Sequence, residues 1–417
     1  MLRVCYYTLN IQGDLDHMFM PALRVKFEFA PLVNDILDQL PADIWSSTTT
    51  TFLDPAFGGG QFLREIERRL REAGHSEHNI SSRVYGCEIR QIRLNWTWDH
   101  GRVKTRNLIK CDFLNHDWGD MKFDVIVGNP PYQDKTGNEN STNSADLYVR
   151  FVERGFELSR NYVAMVIPSA WSGARDSKLK TVLFEQNQPL RFDTHGKKWF
   201  DVEMNTCWFI SQKGRQGVTQ ISDVEGNTVH IMLNKQSVIP QNIGSLSILE
   251  HLRSHARDKN LAARWLRGKL NLNDVKSFSK GSVPFVMAVG QKTAPLEIQM
   301  IPKHKETTGA GLHKLVVPNV SSSDAIGNIK YADPSMVGGH SVVFLTCKSK
   351  AESDKLKSYL ETKLIRYLVK SIKISTPNSK NLFELIPDMP STWKVEQDLY
   401  VHFGLNQAQI DQVEITT

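Results

Sequence analysis

The first half of the chain alternates short apolar runs with amphipathic segments. Apolar runs lead into Asp54, Glu88 and Asn129, and a further run spans residues 162–168. Between the first two, residues 62–70 place apolar side chains at helical spacing. Continuous apolar runs are typical of strands that are buried on both faces, and strands that alternate with helices form parallel sheets. The pattern therefore predicts an α/β fold with a doubly wound sheet.

The residues that follow the apolar run 125–127 predict a site for a planar amino group. They are Asn129, Pro130, Pro131 and Tyr132. An asparagine side-chain oxygen and a prolyl carbonyl can accept both hydrogen bonds of an exocyclic NH2, while a tyrosine ring stacks on the heterocycle that carries it. Two consecutive prolines hold the backbone rigidly and leave their carbonyls free to accept. The alternative interpretation is a rigid corner between a strand and a loop.

An apolar strand, a glycine turn and a helix follow one another further upstream. Residues 54–60 read Asp-Pro-Ala-Phe-Gly-Gly-Gly. Glycines permit close approach of a ligand to the backbone, and an acid at the carboxyl end of a strand attracts an ammonium group. A dinucleotide site is the rival interpretation, but the glycines do not follow the G-x-G-x-x-G pattern and Asp54 would repel a pyrophosphate. We therefore expect this loop to bind a zwitterionic amino acid group.

Two later strand ends also carry acids. Glu88 follows one apolar run, and Asp112 follows another, with Phe113 next to it. Glu88 is placed to accept hydrogen bonds from ribose hydroxyls. Asp112 could bind an adenine amino group, and Phe113 could stack on the ring. Each acid taken alone is more simply explained as a solvated strand end, but their order predicts an adenosyl pocket.

In this order the motifs resemble those of the S-adenosylmethionine-dependent DNA adenine-N6 methyltransferases, similar to the methylase part of Eco57I-type restriction-modification enzymes. The family's first motif is commonly Asp-Pro-Ala-Cys-Gly-x-Gly-x-Phe-Leu, and residues 54–63 match it with Phe57 in place of the cysteine. The resemblance implies a Rossmann-like sheet and a set of site residues. The methionine part of the cofactor would be held by Asp54, Pro55, Ala56, Gly58 and Gly60, the ribose by Glu88, the adenine by Asp112 and Phe113, and the target base by Asn129, Pro130, Pro131 and Tyr132.

The resemblance extends to two further segments. Phe29 and Pro31 resemble the family's amino-terminal cofactor motif, in which Ala30 replaces the usual threonine. Phe200 is the candidate for an aromatic ring that sandwiches the flipped base against Tyr132. The alternatives are that Phe29 is an ordinary core aromatic and that Phe200 covers the edge of the sheet.

Charge is distributed unevenly along the chain. The net charge of +6 divides into about −2 for residues 1–210, about +13 for residues 211–380 and about −5 for residues 381–417. Lysine and arginine supply most of the non-specific affinity for a phosphate backbone. We therefore expect this basic region to bind DNA, and the family resemblance implies that it is an α+β target-recognition domain, with a core helix near 353–369. The basic residues that cluster on its helix-like sequence are Arg253, Arg257, Lys259, Arg264, Arg267 and Lys269.

These observations predict three regions in a chain of 417 residues. They are a catalytic domain over 1–212, a basic recognition domain over 213–380 and an acidic helical tail over 381–417, with the first boundary in the polar stretch 213–217. The five cysteines are widely spaced, which argues against a disulfide framework or a metal site. The chain has neither a membrane-length apolar run nor a signal-peptide pattern, which predicts a cytoplasmic enzyme that does not bind membranes.

The predicted activity is methyl transfer from S-adenosylmethionine to a flipped adenine in double-stranded DNA, in restriction-modification or in phage or host DNA protection. A cognate restriction endonuclease encoded separately is a possible partner. Two alternatives stay open. An RNA or protein-glutamine methyltransferase could use the same Asn-Pro-Pro-Tyr site, and a catalytically inactive protein could retain the core for DNA binding alone.

Overall fold

The computed structural model of the protein describes residues 30–100, 103–132, 147–173, 177–194, 206–223, 225–240, 242–276, 281–291, 293–303, 305–322, 325–373 and 377–416. Contacts divide the chain into two compact units. Unit 1 comprises the residues up to 171 together with 176–237, and unit 2 comprises 172–175 together with 238–417.

Unit 1 is built on a nine-stranded sheet with the order β3-β2-β1-β4-β5-β7-β6-β8-β9. Its strands are β1 Phe52–Asp54, β2 Val84–Glu88, β3 Asn107–Lys110, β4 Phe123–Gly128, β5 Ser159–Pro168, β6 Pro189–Asp193, β7 Thr206–Gln212, β8 Thr219–Ser222 and β9 Thr228–Ile231. The first five run parallel, with Phe52 opposite both Val84 and Val125. Strand β7 is antiparallel to its neighbours β5 and β6. The prediction of an α/β sheet of the Rossmann type is confirmed.

Helices connect these strands. They are α1 Ala30–Leu37, α2 Asp43–Ser46, α3 Gln61–Glu72, α4 Glu77–Arg83, α5 Gln91–Asp99, α6 Leu147–Leu158 and the short α7 Lys178–Lys180, which continues as a π-helix over Thr181–Gln186. Helix α3 begins after Gly60, whose φ of 73° lies in the left-handed region that favours glycine. Together with the acid Glu67, its buried face carries apolar residues at helical spacing, as predicted: Phe62, Leu63, Ile66 and Leu70.

Unit 2 contains two smaller sheets, ordered β10-β16-β13-β14 and β12-β11-β15. Their strands are β10 Trp265–Leu266, β11 Val283–Val289, β12 Leu296–Ile301, β13 His313–Pro318, β14 Lys330–Ala332, β15 Val337–Gly338 and β16 Val342–Cys347. The helices are α8 Leu246–Asp258, α9 Leu272–Lys276, α10 Lys350–Leu360, α11 Lys363–Ile372, α12 Lys380–Glu384, α13 Glu396–His402 and α14 Gln407–Thr416. A second unit of mixed α+β structure is therefore present.

The unit boundary lies elsewhere than predicted. The polar stretch 213–217 forms the connection between β7 and β8, and β8 pairs with β6 in the same sheet. A polar glycine-containing connection between two strands of one sheet resembles, in sequence, a linker between domains. The acidic tail is also part of unit 2, because Leu399, Tyr400 and Val413 belong to the same buried cluster as Leu249 and Leu364.

The predicted helix near 353–369 consists of two helices. Helix α10 ends at Leu360, and α11 begins at Lys363. Between them the hydroxyl of Thr362 accepts a hydrogen bond from the backbone N–H of Ile365 at 3.4 Å. Threonine favours such an N-cap because its side chain satisfies a backbone donor that has no partner inside the helix.

Two cysteines pair, contrary to the prediction from their spacing. Cys87 and Cys111 form a disulfide, and their Cα atoms are 5.9 Å apart. Cys87 is the penultimate residue of β2, while Cys111 directly follows the neighbouring strand β3. The register between two parallel strands brings these residues together, and a separation of 24 positions in the sequence does not reveal it.

The described residues contain neither a candidate membrane span nor a candidate metal cluster. No helix in the described part of the chain is long and apolar enough to cross a membrane. Among the same residues, no group of three or more histidine, cysteine and acidic side chains is arranged to hold a metal ion.

Candidate active site

Most of the predicted site residues in the described part of the chain lie along one edge of the sheet in unit 1. Strands β1, β2 and β4 end at Asp54, Glu88 and Gly128, and Asp112 follows the end of β3. All four strands are adjacent and parallel. Their carboxyl ends therefore meet at the same edge, which is where open α/β sheets bind ligands.

Asp54 is the most strongly perturbed acid at this edge. Its side chain is 1% exposed, and Oδ1 accepts the backbone N–H of Ala56 at 3.1 Å. Burial raises the pKa of Asp54 to about 8, the hydrogen bond from Ala56 opposes that rise, and the charge of Glu88 adds to it. Among the described residues no lysine or arginine forms an ion pair with Asp54. The carboxyl group is thus suited to a cation that arrives with a ligand.

Gly128 brings this acid against the start of the Asn-Pro-Pro-Tyr segment. A Cβ atom at position 128 would lie 2.7 Å from Oδ1 of Asp54 and 3.1 Å from Cδ of Pro55. Contacts under 3.0 Å are not tolerated without displacement of one partner, so the position requires glycine. The carboxyl group of Asp54 therefore packs directly over the residue that precedes Asn129.

Glu88 ties the glycine loop to β2. Its Oε2 accepts the backbone N–H of Gly58 at 3.2 Å, and its Oε1 accepts that of Arg90 at 3.0 Å. The guanidinium of Arg93 is 3.8 Å from the same carboxylate. A carboxylate offers about four acceptor positions, so Glu88 retains capacity for ligand hydroxyls after these contacts.

Asp112 makes local hydrogen bonds. Its Oδ1 accepts the backbone N–H of Leu114 at 3.0 Å, and its Oδ2 accepts the amide of Asn115 at 2.6 Å. These contacts stabilise the turn after β3. The side chain is partly exposed, so the carboxylate can still accept a further donor on its open side.

The ring of Phe113 has a different environment from the one predicted. Phe113 is 2% exposed, and its ring stacks on that of Phe151 with centroids 5.2 Å apart. The ring also meets Trp118 edge to face. A ring enclosed in this way offers no open face to an adenine, so the expected stacking does not fit the structure. Only the backbone of Phe113 remains as a contact to a ligand at this edge.

The side-chain oxygen of Asn129 has an unused capacity to accept a hydrogen bond. Its side-chain Oδ1 is buried and accepts no hydrogen bond from any residue in the described part of the chain. Pro130 is buried, Pro131 is exposed and Tyr132 is half-buried. A buried acceptor without a donor costs about 1–3 kcal/mol, and such an atom in a native structure calls for an explanation. An amino group entering the site would supply the missing donor.

Two predicted residues, Phe29 and Phe200, lie outside the described residues. Pro31 stands in the first turn of α1 with its side chain exposed, while Leu32, Val33 and Ile36 on the same helix are buried in the core of unit 1.

The sequence-based prediction missed two apolar side chains next to Glu88. Ile89 is 61% exposed and Ile92 is 64% exposed. Large aliphatic groups with this exposure beside two ligand-suited acids provide a surface that a heterocycle could cover. The signal was present in the sequence, because Ile89 directly follows the acid that ends β2.

A comparison with known proteins agrees with the motifs. Residues 60–200 match the model of the Eco57I restriction-modification methylase family. This segment includes Glu88, Asp112 and the Asn-Pro-Pro-Tyr segment, whereas Asp54 lies before it. The match confirms the resemblance that the motifs indicated.

Individual relatives align over part of their length. An adenine-specific methylase of Mycoplasma pneumoniae is 33% identical over 122 residues, which cover 27% of this chain and 28% of that protein. The type II methyltransferase M.BstVI of Geobacillus stearothermophilus is 26% identical over 219 residues, covering 42% of this chain and 39% of that protein. A solved type IIL restriction-modification enzyme in complex with DNA, MmeI, aligns with 93% of this chain and 69% of its own at 13% identity, with a TM-score of 0.48.

Proposed function

We propose that this chain is a site-specific DNA adenine-N6 methyltransferase of the restriction-modification type, with S-adenosylmethionine as its methyl donor. The observation that carries the proposal is the buried side-chain oxygen of Asn129, which accepts no hydrogen bond within the described chain and adjoins the buried carboxyl group of Asp54 through Gly128. The acceptor for an amino group thus directly follows, in the chain, the glycine that packs against an acid for an ammonium group.

The residues at the sheet edge suit S-adenosylmethionine. Asp54 would bind the methionine ammonium group, and the glycine loop from Gly58 to Gly60 would allow close approach of the ligand to the backbone. Glu88 would accept from the ribose hydroxyls, and Asp112 from the adenine amino group. Pro55 and Ala56 would line the methionine, as would Phe29 and Pro31 by the family resemblance. When bound, this cofactor supplies an electrophilic methyl group on a sulfonium.

Exposed Ile89 and Ile92 take the role that was predicted for the ring of Phe113. An adenine resting on these side chains would remove apolar surface from water, at roughly 25 cal/mol per Å². The proposed adenine site therefore combines an aliphatic floor with the carboxylate of Asp112.

The chain's own contribution to catalysis would be orientation of the target amine. A duplex adenine must leave the base stack to reach the sheet edge, which costs a few kcal/mol. Oδ1 of Asn129 and the carbonyl of Pro130 would then accept the two N6 hydrogens, so that the nitrogen lone pair points away from them. Tyr132 would stack on the base, with Phe200 as the candidate on its other face. Pro131 would hold the turn rigid.

Loss of the proton completes the reaction. The nitrogen would become cationic as its bond to the methyl group replaces the bond between that methyl group and the donor's sulfur, and the proton would then pass to water. The two acceptors, Asn129 and Pro130, stabilise the developing positive charge without needing to take the proton.

Unit 2 would bind the duplex. Residues 238–417 carry a net charge of about +7, while residues 1–237 carry about −1. Neutralisation of phosphates by lysine and arginine gives a salt-dependent affinity that is independent of base sequence. The chain spans only 28% and 26% of the first two curated relatives that it matches, so double-stranded DNA as the substrate and a separately encoded endonuclease as a partner both belong to this proposal.

The proposal is tested by methyl transfer from labelled S-adenosylmethionine to mixed duplex DNA, followed by digestion to nucleosides. We expect label in N6-methyladenine, and we expect Asn129→Ala to lower the rate by roughly 100-fold or more, as for loss of a preorganised polar group at a reacting centre. Asn406→Ala serves as the matched control, because its side chain lies in unit 2 and accepts a backbone N–H at the start of α14.

The other outcomes separate the alternatives. Label that enters RNA or protein instead of DNA would retain the methyltransferase and overturn the substrate. Cofactor binding without transfer to any of the three would contradict the proposed activity.

A further inference from the structure

Unit 2 contains an open pocket of about 390 Å³ between helix α8, the turn Leu261–Arg264 and helix α12. Three basic residues line it: Arg253, Arg257 and Lys380. Glu384 is the single acid among its lining residues, and the remaining surface is polar or formed by small apolar side chains. At roughly 30 Å³ per water molecule, this volume corresponds to about a dozen waters, which is room for a phosphate group with an adjoining sugar.

The basic residues named in the charge prediction differ in their contacts within the structure. Arg264 is neutralised inside the protein: its Nε is 2.8 Å from Asp388 and its Nη1 is 2.9 Å from Glu352. Arg267 donates to the backbone carbonyl of His340 at 3.2 Å. The two acids neutralise the charge of Arg264, whereas Arg267 is held against His340 and does not line the pocket.

Arg253 and Arg257 line the open pocket. Burial lowers the pKa of Arg253, the positive charge of Arg257 adds to this effect, and Glu250 opposes it. Arg257 and Lys380 are exposed and form no ion pair within the described residues. Two neighbouring guanidinium groups and an ammonium group around one cavity repel one another, and an anion in that cavity would relieve the repulsion.

Arginine is the residue best suited to this task. Its planar guanidinium binds phosphate oxygens with two parallel hydrogen bonds and is only weakly hydrated. Contacts of this kind position a duplex without reading its bases.

We propose that Arg253, Arg257 and Lys380 form a binding site for backbone phosphate of duplex DNA. This inference rests on the proposed function, since it names residues through which unit 2 would grip the substrate. The pocket contributes affinity and register, and the identity of the bases is read elsewhere.

The test is the salt dependence of DNA affinity for the full chain. Fluorescence anisotropy with a labelled mixed-sequence duplex gives Kd over a series of NaCl concentrations. Each phosphate contact contributes about 0.9 to the slope of log Kd against log salt. We expect R253Q/R257Q to lower that slope by about 2 and to weaken binding at 0.1 M salt by roughly 50-fold or more. Lys380→Gln alone, at an exposed position, should lower it by about 1.

Matched controls remove the effects of net charge and folding. R366Q/K394Q deletes two positive charges from exposed positions of unit 2 outside the pocket, and we expect its slope to stay close to that of the parent chain. R253K/R257K keeps both charges, and we expect it to retain most of the slope. If R253Q/R257Q and R366Q/K394Q give the same slope, the inference is overturned.

A second arm identifies the source of the phosphate. Inorganic phosphate is titrated at constant ionic strength while thermal stability is followed. If it stabilises the parent chain but not R253Q/R257Q, and the DNA slopes are equal, the site holds free phosphate and the DNA assignment is wrong.

Methyl transfer is measured with the same protein preparations. This measurement distinguishes failure of the pocket assignment from failure of the proposed function. If the parent chain methylates DNA while the slopes are unchanged, only the pocket assignment fails. If the parent chain binds no duplex DNA at all, the proposed function and the pocket assignment fail together.

Discussion

The carboxyl group of Asp54 is almost completely buried. Desolvation favours the neutral acid, with its pKa raised to about 8, whereas the proposed ligand requires the carboxylate. Because the folded-state pKa lies above the ordinary value of 3.8, this group favours the fold fully at acidic pH and loses that contribution as pH rises through about 8. A bound ammonium group would reverse the balance and restore the charge.

The acid is neutral in the free protein and would be charged in the complex, which predicts proton release on cofactor binding. At pH 7 the acid of the free protein is mostly protonated, so binding of S-adenosylmethionine should expel close to one proton. Calorimetry in two buffers of different ionisation enthalpy measures that number. Asp54→Asn should abolish the release and weaken binding by roughly 10- to 100-fold, the value of a charge-assisted hydrogen bond. Equal proton release by the variant would contradict the role given to Asp54.

A second prediction concerns Gly128. Gly128→Ala should place a methyl group 2.7 Å from Oδ1 of Asp54, so that either the acid or the Asn129 segment must move. Displacements near 1 Å at a reacting centre cost about 100-fold in rate, and we expect kcat/KM to fall by roughly that factor. Gly155→Ala is the matched control, because its Cβ would lie 2.9 Å from Cε of Met165, the end of a flexible side chain outside the candidate site. Equal losses in both variants would refute the steric explanation.

At the scale of single residues, strand order predicts which side chains lie at the same edge of the sheet, while the binding roles of those side chains stay predictions. The positions of Asp54, Glu88 and Asn129 follow from the rule that parallel strands share a carboxyl edge. The direction of a side chain in a turn does not follow from any such rule. Phe113 turns inward onto Phe151, and the exposed position of Ile89 depends equally on the turn that follows β2.

Helices α8 and α13 meet through a cluster of aromatic side chains. The ring of His255 lies 5.9 Å from that of His251 and 6.0 Å from that of His402, and it meets Phe403 edge to face. His251 also hydrogen-bonds through Nε2 to the backbone carbonyl of Phe403. The carboxyl-terminal helix pair therefore contacts helix α8 of the same unit through histidine rings.

The histidine cluster predicts that acid weakens the contact between helices α8 and α13. Burial lowers the pKa of His255, the charges of His251 and His402 add to this effect, and Asp258 opposes it. A histidine with a lowered pKa binds fewer protons in the folded state, so its stabilising contribution is present above the unfolded value of 6.5 and is lost as pH falls below it. His255→Phe should reduce the loss of thermal stability between pH 7.5 and pH 5.5.

The control for this prediction is His78→Gln, at an exposed position in unit 1. Its stability should depend on pH as in the parent chain. If His255→Phe loses as much stability on acidification as the parent chain does, the cluster does not respond to acid.

At the scale of elements, periodicity identified the helices and strands but not all of their ends. The apolar residues of 353–369 continue at helical spacing across Thr362, so the capping bond to Ile365 leaves little trace in the hydrophobic pattern. In the same way, pairing of Cys87 with Cys111 depends on the register of two strands. Both features arise from contacts that composition and spacing do not encode.

The whole molecule has a separate core in each unit. One described buried cluster runs from Leu32 to Ile210 within unit 1, and the large cluster of unit 2 runs from Val238 to Val413. The boundary could not be predicted from composition, because β8 and β9 are short, partly polar strands that belong to the sheet of unit 1.

Separate cores predict separate unfolding. Differential scanning calorimetry should show two transitions, and S-adenosylmethionine should raise only the one that belongs to unit 1. At 100 times its Kd the ligand adds about 2.7 kcal/mol to the free energy of unfolding of the unit that binds it. Asp54→Asn should remove the shift. A single transition that moves as a whole with the ligand would contradict independent cores.

Because the positive charge is concentrated in unit 2, the two units differ in how freely their residues can vary during evolution. Gly128 and Asp54 tolerate little variation, because a Cβ atom at position 128 would lie 2.7 Å from Oδ1 of Asp54. Exposed arginines and lysines of unit 2 carry no such constraint. Mutations in unit 2 can therefore change the affinity for DNA and the duplex that is bound. The residues of the sheet edge stay the same.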